Sequence, residues 1–338
     1  MEAITRETDD AVSLTLASPD GAAISFKPGQ FLTLTVPVAG ATHRRAYSIA
    51  SSAHDPSRVT VTVRRVAGGL VSNHLNDHAR VGDTFAVHGP SGAFVVEGGD
   101  ARRHLVLVAG GSGITPMMSF LRTHLGASPT LAFTLVYGNR DRAHAIFADA
   151  LDALAAAHPT QLTVRHVYER APDGSALDGR LDESGCARAF EALTLPGDVT
   201  PEWFLCGPDP MMAAARTVLA ARGVAPERVH EERFFTAATT TKAAGDQRPH
   251  TVTVRLRGSA HVVSAAPGVT VLDAGLNAGV DMPFSCTMGG CGACRVRLTA
   301  GDVVMDEPNC LTAREREKGY VLACQSRPTG DITIEVEP

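Results

Sequence analysis

The stretch CTMGGCGAC, residues 286–294, crowds three cysteines into nine positions and fills most of the gaps with glycine and alanine. The whole chain carries seven cysteines in 338 residues, an odd number that argues against a closed set of disulfides. Its opening, MEAITRETDDAVSL, has neither the basic nor the apolar region of a leader peptide. A cytoplasmic chain with reduced thiols is therefore expected. Free thiols this close together, with so little bulk between them, are placed to hold a metal, and a segment of that kind constrains everything folded around it.

Cys286, Cys291 and Cys294 have the spacing C-x4-C-x2-C, and Cys324 follows 30 positions later in LACQ. Thiolates are the soft ligands that iron–sulfur clusters require, and this is the plant-type [2Fe–2S] spacing. Side chains at 289, 290, 292 and 293 would obstruct the approach of backbone N–H groups to bridging sulfides; glycine also reaches positive φ without strain. Structural zinc would pair one C-x2-C with a second, which the sequence lacks. Inert buried thiols are the other bland reading. Cys310, in DEPNCLT, competes for the fourth ligand position. Cys324 is favoured because it follows the apolar run YVLA, whereas Cys310 sits in a charged, loop-like stretch and is left as a free thiol. CTMGGCGACRVRL followed by LACQ resembles the plant-type ferredoxin domain, which implies a β-grasp fold for 250–338.

The length suggests two or three domains, since single cores rarely grow past ~250 residues. Residues 1–99 carry short β-type runs at 13–16, 31–36, 58–65 and 84–87, separated by PGQ, VAG, GG and GPSG. This predicts a small antiparallel β-barrel. From His104 the pattern changes to alternating strands and helices: HLVLVAG, a helix over 116–125, TLAFTLVYG, a helix over 143–157, strands at 162–168 and 203–206, and a helix over 210–222. That alternation predicts a parallel sheet covered on both faces, over 100–235. The polar run at 236–249 reads as a linker. Beyond it come a hairpin at 251–264, a short helix over 271–278, and a closing strand at 332–336. The formal net charge of −5, with no long basic run, disfavours nucleic acid, and no apolar run approaches the ~18 residues of a membrane span.

Three further runs carry chemistry. RRAYSIAS, residues 44–51, alternates an arginine, an aromatic ring and a hydroxyl, and GGLVSNHL, 68–75, places glycines and a serine at a helix start suited to phosphate. AGGSGITPMM, 109–118, follows a strand and opens a helix, but Pro116 stands where a third glycine of the usual dinucleotide fingerprint would be. FLCGPDPMM, 204–212, ends a strand at the sheet's carboxyl edge, where open α/β sheets bind ligands. Each has a bland reading as an ordinary strand or a tight turn.

Together these runs resemble the ferredoxin–NADP reductase superfamily over residues 1–235. The resemblance implies FAD contacts at Arg45, Tyr47, Ser48, Val63, Arg65, Gly69, Val71 and Ser72. It implies nicotinamide-nucleotide contacts at Gly111, Gly113, Thr115, Gly207 and Pro208. It also sets Ser48 and Cys206 beside the reacting rings, with Glu231 as an acidic neighbour of the flavin. Arg140 and Arg142 follow the second strand of the sheet, where a 2′-phosphate would sit; this inclines the choice slightly to NADPH over NADH.

A nicotinamide gives two electrons at once and a cluster takes one, so a flavin is the natural converter between them. The order of barrel, nucleotide domain, linker and ferredoxin resembles the reductase components of multicomponent oxygenases, such as those of phenylacetyl-CoA epoxidase and ketosteroid 9α-hydroxylase. That implies an NAD(P)H-dependent reductase whose electrons pass through FAD and a [2Fe–2S] cluster to a partner oxygenase at the cluster rim, near Met288. The alternatives are an electron-transfer subunit of a stable dehydrogenase complex and a redox sensor without turnover.

Overall fold

The computed structural model describes residues 1–170, 177–234, 248–307 and 309–337. It divides into two compact units, Met1–His43 with Tyr47–Phe234 and Arg44–Ala46 with Phe235–Pro338.

The first unit begins with two three-stranded antiparallel sheets. One joins Ala3–Thr8, Ala11–Leu16 and Val59–Arg64; the other joins Ala41–Ser48, Phe31–Val38 and Ala86–Ser91. Alternation puts Val12, Leu14, Leu32, Leu34, Val36, Val59, Val61 and Val63 into a common core. Four of these six strands match β-type runs in the sequence, and Ala41–Ser48 ends in the first residues of RRAYSIAS. Ala3–Thr8 matches none: AITRET is exposed along most of its length and lacks an apolar alternation.

Six parallel strands follow, in the order Leu177–Asp178, Leu162–Tyr168, Leu131–Asn139, Arg103–Gly110, Glu202–Cys206, Val229–Glu232. Successive residues of Arg103–Gly110 serve opposite faces. Leu105, Leu107 and Ala109 join Ile114, Met117 and Leu151 in one core, while Val106 and Val108 join Cys186, Phe190, Met212 and Leu219 in the other. The continuous apolar run therefore reflects burial on both sides. The chain builds outward from Arg103–Gly110 in one direction and then returns to its other side. The order thus reverses between Arg103–Gly110 and Glu202–Cys206, a place where open sheets leave a crevice.

The helix expected over 143–157 is shorter. A 3-10 turn spans Arg142–His144, and the α-helix begins at Ala148. Asp141 caps the turn by accepting from the His144 backbone N–H at 3.1 Å, and Phe147 takes φ of 63°, which breaks the helical path. The strand Val229–Glu232 and the helix Glu183–Glu191 were not legible as elements in the sequence.

The second unit is a five-stranded mixed sheet ordered Ser259–Ala265, His250–Leu256, Ile332–Val336, Arg295–Ala300, Tyr320–Leu322. Its central pair, His250–Leu256 with Ile332–Val336, is parallel, and the helix Val271–Asn277 contributes Val271 and Leu272 to the same core as Val252, Val296 and Ile334. This is the β-grasp arrangement. Of the expected linker, 236–247 lies outside the described residues. Among the described residues no helix is long and apolar enough to cross a membrane.

Candidate functional site

At the point of strand-order reversal two loops meet. Gly113, in the turn after Arg103–Gly110, lies so near the end of Glu202–Cys206 that a Cβ there would stand 2.0 Å from Cys206 O and 2.8 Å from Gly207 N. Only glycine fits. Beside them opens a cavity of about 730 Å³, lined by Gly110, Gly111, Asn139, Arg140, Pro208 and Met211 among others. Arg64 also lines it and is held by Asp10, its Nε donating at 2.9 Å. Thr115 is buried and its hydroxyl donates to Ser112 O at 3.0 Å, within its own turn.

Ser48 ends the strand Ala41–Ser48, is 4% exposed, and donates its hydroxyl to Glu232 Oε2 at 3.2 Å. Glu232 stands opposite Cys206 in the parallel register of the last two strands. Desolvation pushes the Glu232 carboxyl up to about 8, with the Ser48 hydrogen bond opposing part of that rise. Burial also raises the Cys206 thiol well above its usual range, assisted by the nearby Glu232 charge. Ser48, Cys206 and an acidic residue are therefore brought together, but the acidic residue is Glu232. Glu231, the sequence candidate, turns the other way and accepts from Arg216 at 2.8 and 3.1 Å and from Arg233 at 3.2 Å. Strand alternation separates the two carboxylates, and that signal was hidden because Val229–Glu232 was not legible as a strand.

The helix Leu70–His78 starts at Gly69 with no side-chain cap, so its first N–H groups are offered outward. Ser72 is turned back: its hydroxyl accepts from Val66 N at 3.1 Å. Val63 and Val71 are core residues of the barrel. Arg65 forms a two-point ion pair with Asp77, and Arg45 donates to the adjacent Arg44 O at 2.7 Å. Tyr47 packs partly buried against the same core. Arg140 faces the cavity and bonds His144 Nε2 at 3.1 Å. Arg142 points elsewhere, bound to Asp149 at 2.7 Å and Asp152 at 2.8 Å.

In the second unit Cys286, Cys294 and Cys324 are buried, while Cys291 and Cys310 are exposed. The Cys286 backbone N–H donates to Cys291 Sγ, and the Met288 N–H to Cys286 Sγ, both at 3.4 Å. The thiols pair as Cys286 with Cys291 and Cys294 with Cys324. Hydrogen bonding within each pair raises one partner, Cys286 or Cys294, and lowers the other, Cys291 or Cys324. Cys310 approaches the loop from the side, its backbone N–H donating to Gly289 O at 2.9 Å. Among the described residues no three His, Cys, Asp or Glu side chains converge on a single-ion site; a two-iron cluster instead spreads its four thiolates over two irons.

Residues 1–96 match the oxidoreductase FAD-binding domain, 107–217 the oxidoreductase NAD-binding domain, and 254–329 the 2Fe-2S iron-sulfur cluster binding domain. Over 345 residues the chain is 42% identical to the ferredoxin reductase component of the 3-ketosteroid-9-alpha-monooxygenase of Mycobacterium tuberculosis, covering 98% of this chain and 92% of that one. The chain belongs to the oxygenase reductase family. The reductase is also 35% identical over 339 residues to one component of the 1,2-phenylacetyl-CoA epoxidase of Escherichia coli, covering 98% and 95% of the two chains. Phthalate dioxygenase reductase has the same fold, with a TM-score of 0.74, 26% identity, and 99% and 96% coverage. The reductase is thus an NAD(P)H oxidoreductase with FAD and a [2Fe–2S] cluster.

Its residues fit these groups. The uncapped helix start at Gly69 suits a flavin phosphate, and the glycine-lined cavity admits a nucleotide. In the cysteine loop, Gly289 takes φ of 79°, and a Cβ there would press on Gln325 Cγ at 3.0 Å and Asn309 Cβ at 3.2 Å. The loop closes over soft thiol donors only because that position is bare.

Proposed function

We propose that the reductase oxidises NAD(P)H in the cytoplasm and delivers single electrons from its cluster to a separate oxygenase component. One observation carries this reading: Ser48, Cys206 and Glu232 converge at the sheet's reversal point, and Gly111 and Pro208, on the two loops that meet there, line the cavity. When bound, the flavin accepts a hydride equivalent and returns its electrons singly, which a one-electron cluster requires.

The chain's own residues position and insulate. Ser48 presents its hydroxyl, and Glu232, with its carboxyl raised to about 8, holds a proton at neutral pH within reach of that hydroxyl. Cys206 remains a neutral thiol, buried at the end of its strand. Gly111 and Gly113 bring backbone to the nucleotide, and Pro208 closes the second loop. The amides after Gly69 take a phosphate of FAD, with Arg45 and Tyr47 on the neighbouring sheet. Arg140 lies against the ribose end of the nucleotide. Arg142, held by Asp149 and Asp152, takes no part there. Cys286, Cys291, Cys294 and Cys324 hold the cluster. The exposed rim at Cys291 and Ala293, with Met288 half exposed, is offered to the oxygenase.

The test is anaerobic absorbance of the purified holoprotein during separate titrations with NADH and NADPH. Flavin bleaching together with loss of the cluster bands is expected. Bleaching of the flavin with unmoved cluster bands refutes the internal transfer. A dehydrogenase that copurifies in fixed ratio refutes the oxygenase partner.

A further inference from the structure

We propose that Gln325 sets the reduction potential of the bound cluster by donating its side-chain N–H to the sulfur of Cys324. This rests on Cys324 being a cluster ligand. Gln325 follows Cys324 directly and is 6% exposed. Its Nε2 lies 3.5 Å from Cys324 Sγ, 3.1 Å from Cys324 O and 3.3 Å from Thr287 O. All three neighbours are acceptors when the sulfur is a thiolate. An amide oxygen in that place would face only lone pairs, so the orientation of the amide is fixed by its surroundings.

The main chain that carries Gln325 is held as well. Its backbone N–H donates to Leu322 O at 2.9 Å, and its carbonyl accepts from Asp306 N at 3.0 Å. Its Cγ occupies space that a Cβ on Gly289 would invade, at 3.0 Å. The contact with Thr287 O ties the amide to the cysteine loop itself, between Cys286 and Met288. A buried donor whose amide also reaches Thr287 O and Cys324 O stays aimed at the sulfur, where the low local dielectric strengthens its effect.

The consequence for redox chemistry follows from charge alone. A one-electron reduction adds one negative charge at the cluster, with no bond made or broken in the protein. An N–H aimed at a ligating sulfur stabilises the more negative state and raises the potential. The electron comes from NAD(P)H by way of the flavin, so the potential decides how it is shared between flavin and cluster.

The test uses holo-reductase carrying Q325M or Q325L. Potentials are read by dye-mediated titration of the reduced cluster's electron paramagnetic resonance signal, with iron and sulfide contents matched to the parent. Both variants remove the donor. A lower midpoint is expected, by at least threefold in the one-electron equilibrium constant, or ~28 mV at 59 mV per tenfold. The KM for the nicotinamide nucleotide stays unchanged. Unmoved midpoints with full cluster content overturn the proposal. Where the variants lose the cluster, the parent labelled with 15N at glutamine side chains decides. A weak 15N coupling to the reduced cluster supports the contact, and its absence overturns it. C324S separates the two claims. Loss of the cluster or altered g values in C324S, with an unmoved Q325M potential, overturn the role of Gln325 alone. Unaltered g values in C324S overturn the ligand assignment beneath it.

Discussion

Replacing Glu232 with glutamine keeps the shape of the protonated acid and removes its titration. The carboxyl is raised from 4.5 to about 8, chiefly by desolvation. A group whose folded value is raised contributes stability that is present below the unfolded value and is lost as pH rises through the folded one. Between pH 6 and pH 9 about two units of that interval remain, and at 1.36 kcal/mol per unit the parent should lose ~3 kcal/mol relative to E232Q. For a unit of this size that is a divergence of roughly 6–12 °C in melting temperature. The assay is thermal unfolding followed by release of flavin fluorescence, at matched ionic strength, for both proteins across that pH range. All other titrating groups are common to the two, so their effects cancel in the difference. Parallel pH profiles for parent and E232Q would refute the claim that Glu232 sits neutral beside Ser48.

Three further outcomes are expected. C310S should retain full iron and sulfide while C324S loses the cluster or changes its visible spectrum; the reverse pattern would move the fourth ligand to Cys310. R140A should raise the KM for NADPH at least tenfold, a larger rise than for NADH. R142A should change either KM by less than about threefold, because two carboxylates already hold that guanidinium; steady-state kinetics with both nucleotides decides. G113A should fail to accumulate as a folded nucleotide-binding protein, or lose upwards of ~3 kcal/mol, because its new methyl group would meet backbone rather than a movable side chain; a soluble variant with unchanged melting temperature would contradict the close approach described at Cys206.

The layers of the fold were legible because burial writes itself into hydrophobic period. LVLVA, residues 105–109, is apolar at every position since both faces of the sheet are covered, and the barrel strands alternate since one face is. The cysteine loop was legible because thiols at fixed spacing have few other uses. What stayed hidden depended on partners distant in the chain. Two glutamates stand side by side in HEERFF, and nothing local says which one faces Ser48; the register with Cys206 decides it. Arg142 lies in a turn as suited to a phosphate as Arg140, until helix Ala148–Ala157 brings Asp149 and Asp152 against it. Gln325 carries no signal of its own beyond following a cysteine, because its importance comes from the sulfur and the carbonyl that its amide reaches.

The tight seam at Gly113 has a bearing on how nucleotide preference can be altered. With backbone against backbone, the two loops that meet at Gly113 form one stiff floor that cannot yield locally without coming apart. On the proposed placement of the nucleotide, selectivity between the two pyridine nucleotides is written at the cavity wall, where Asn139, Arg140, Glu169 and Arg180 present side chains. An engineer wishing to retarget the coenzyme would leave the floor untouched and recode that wall.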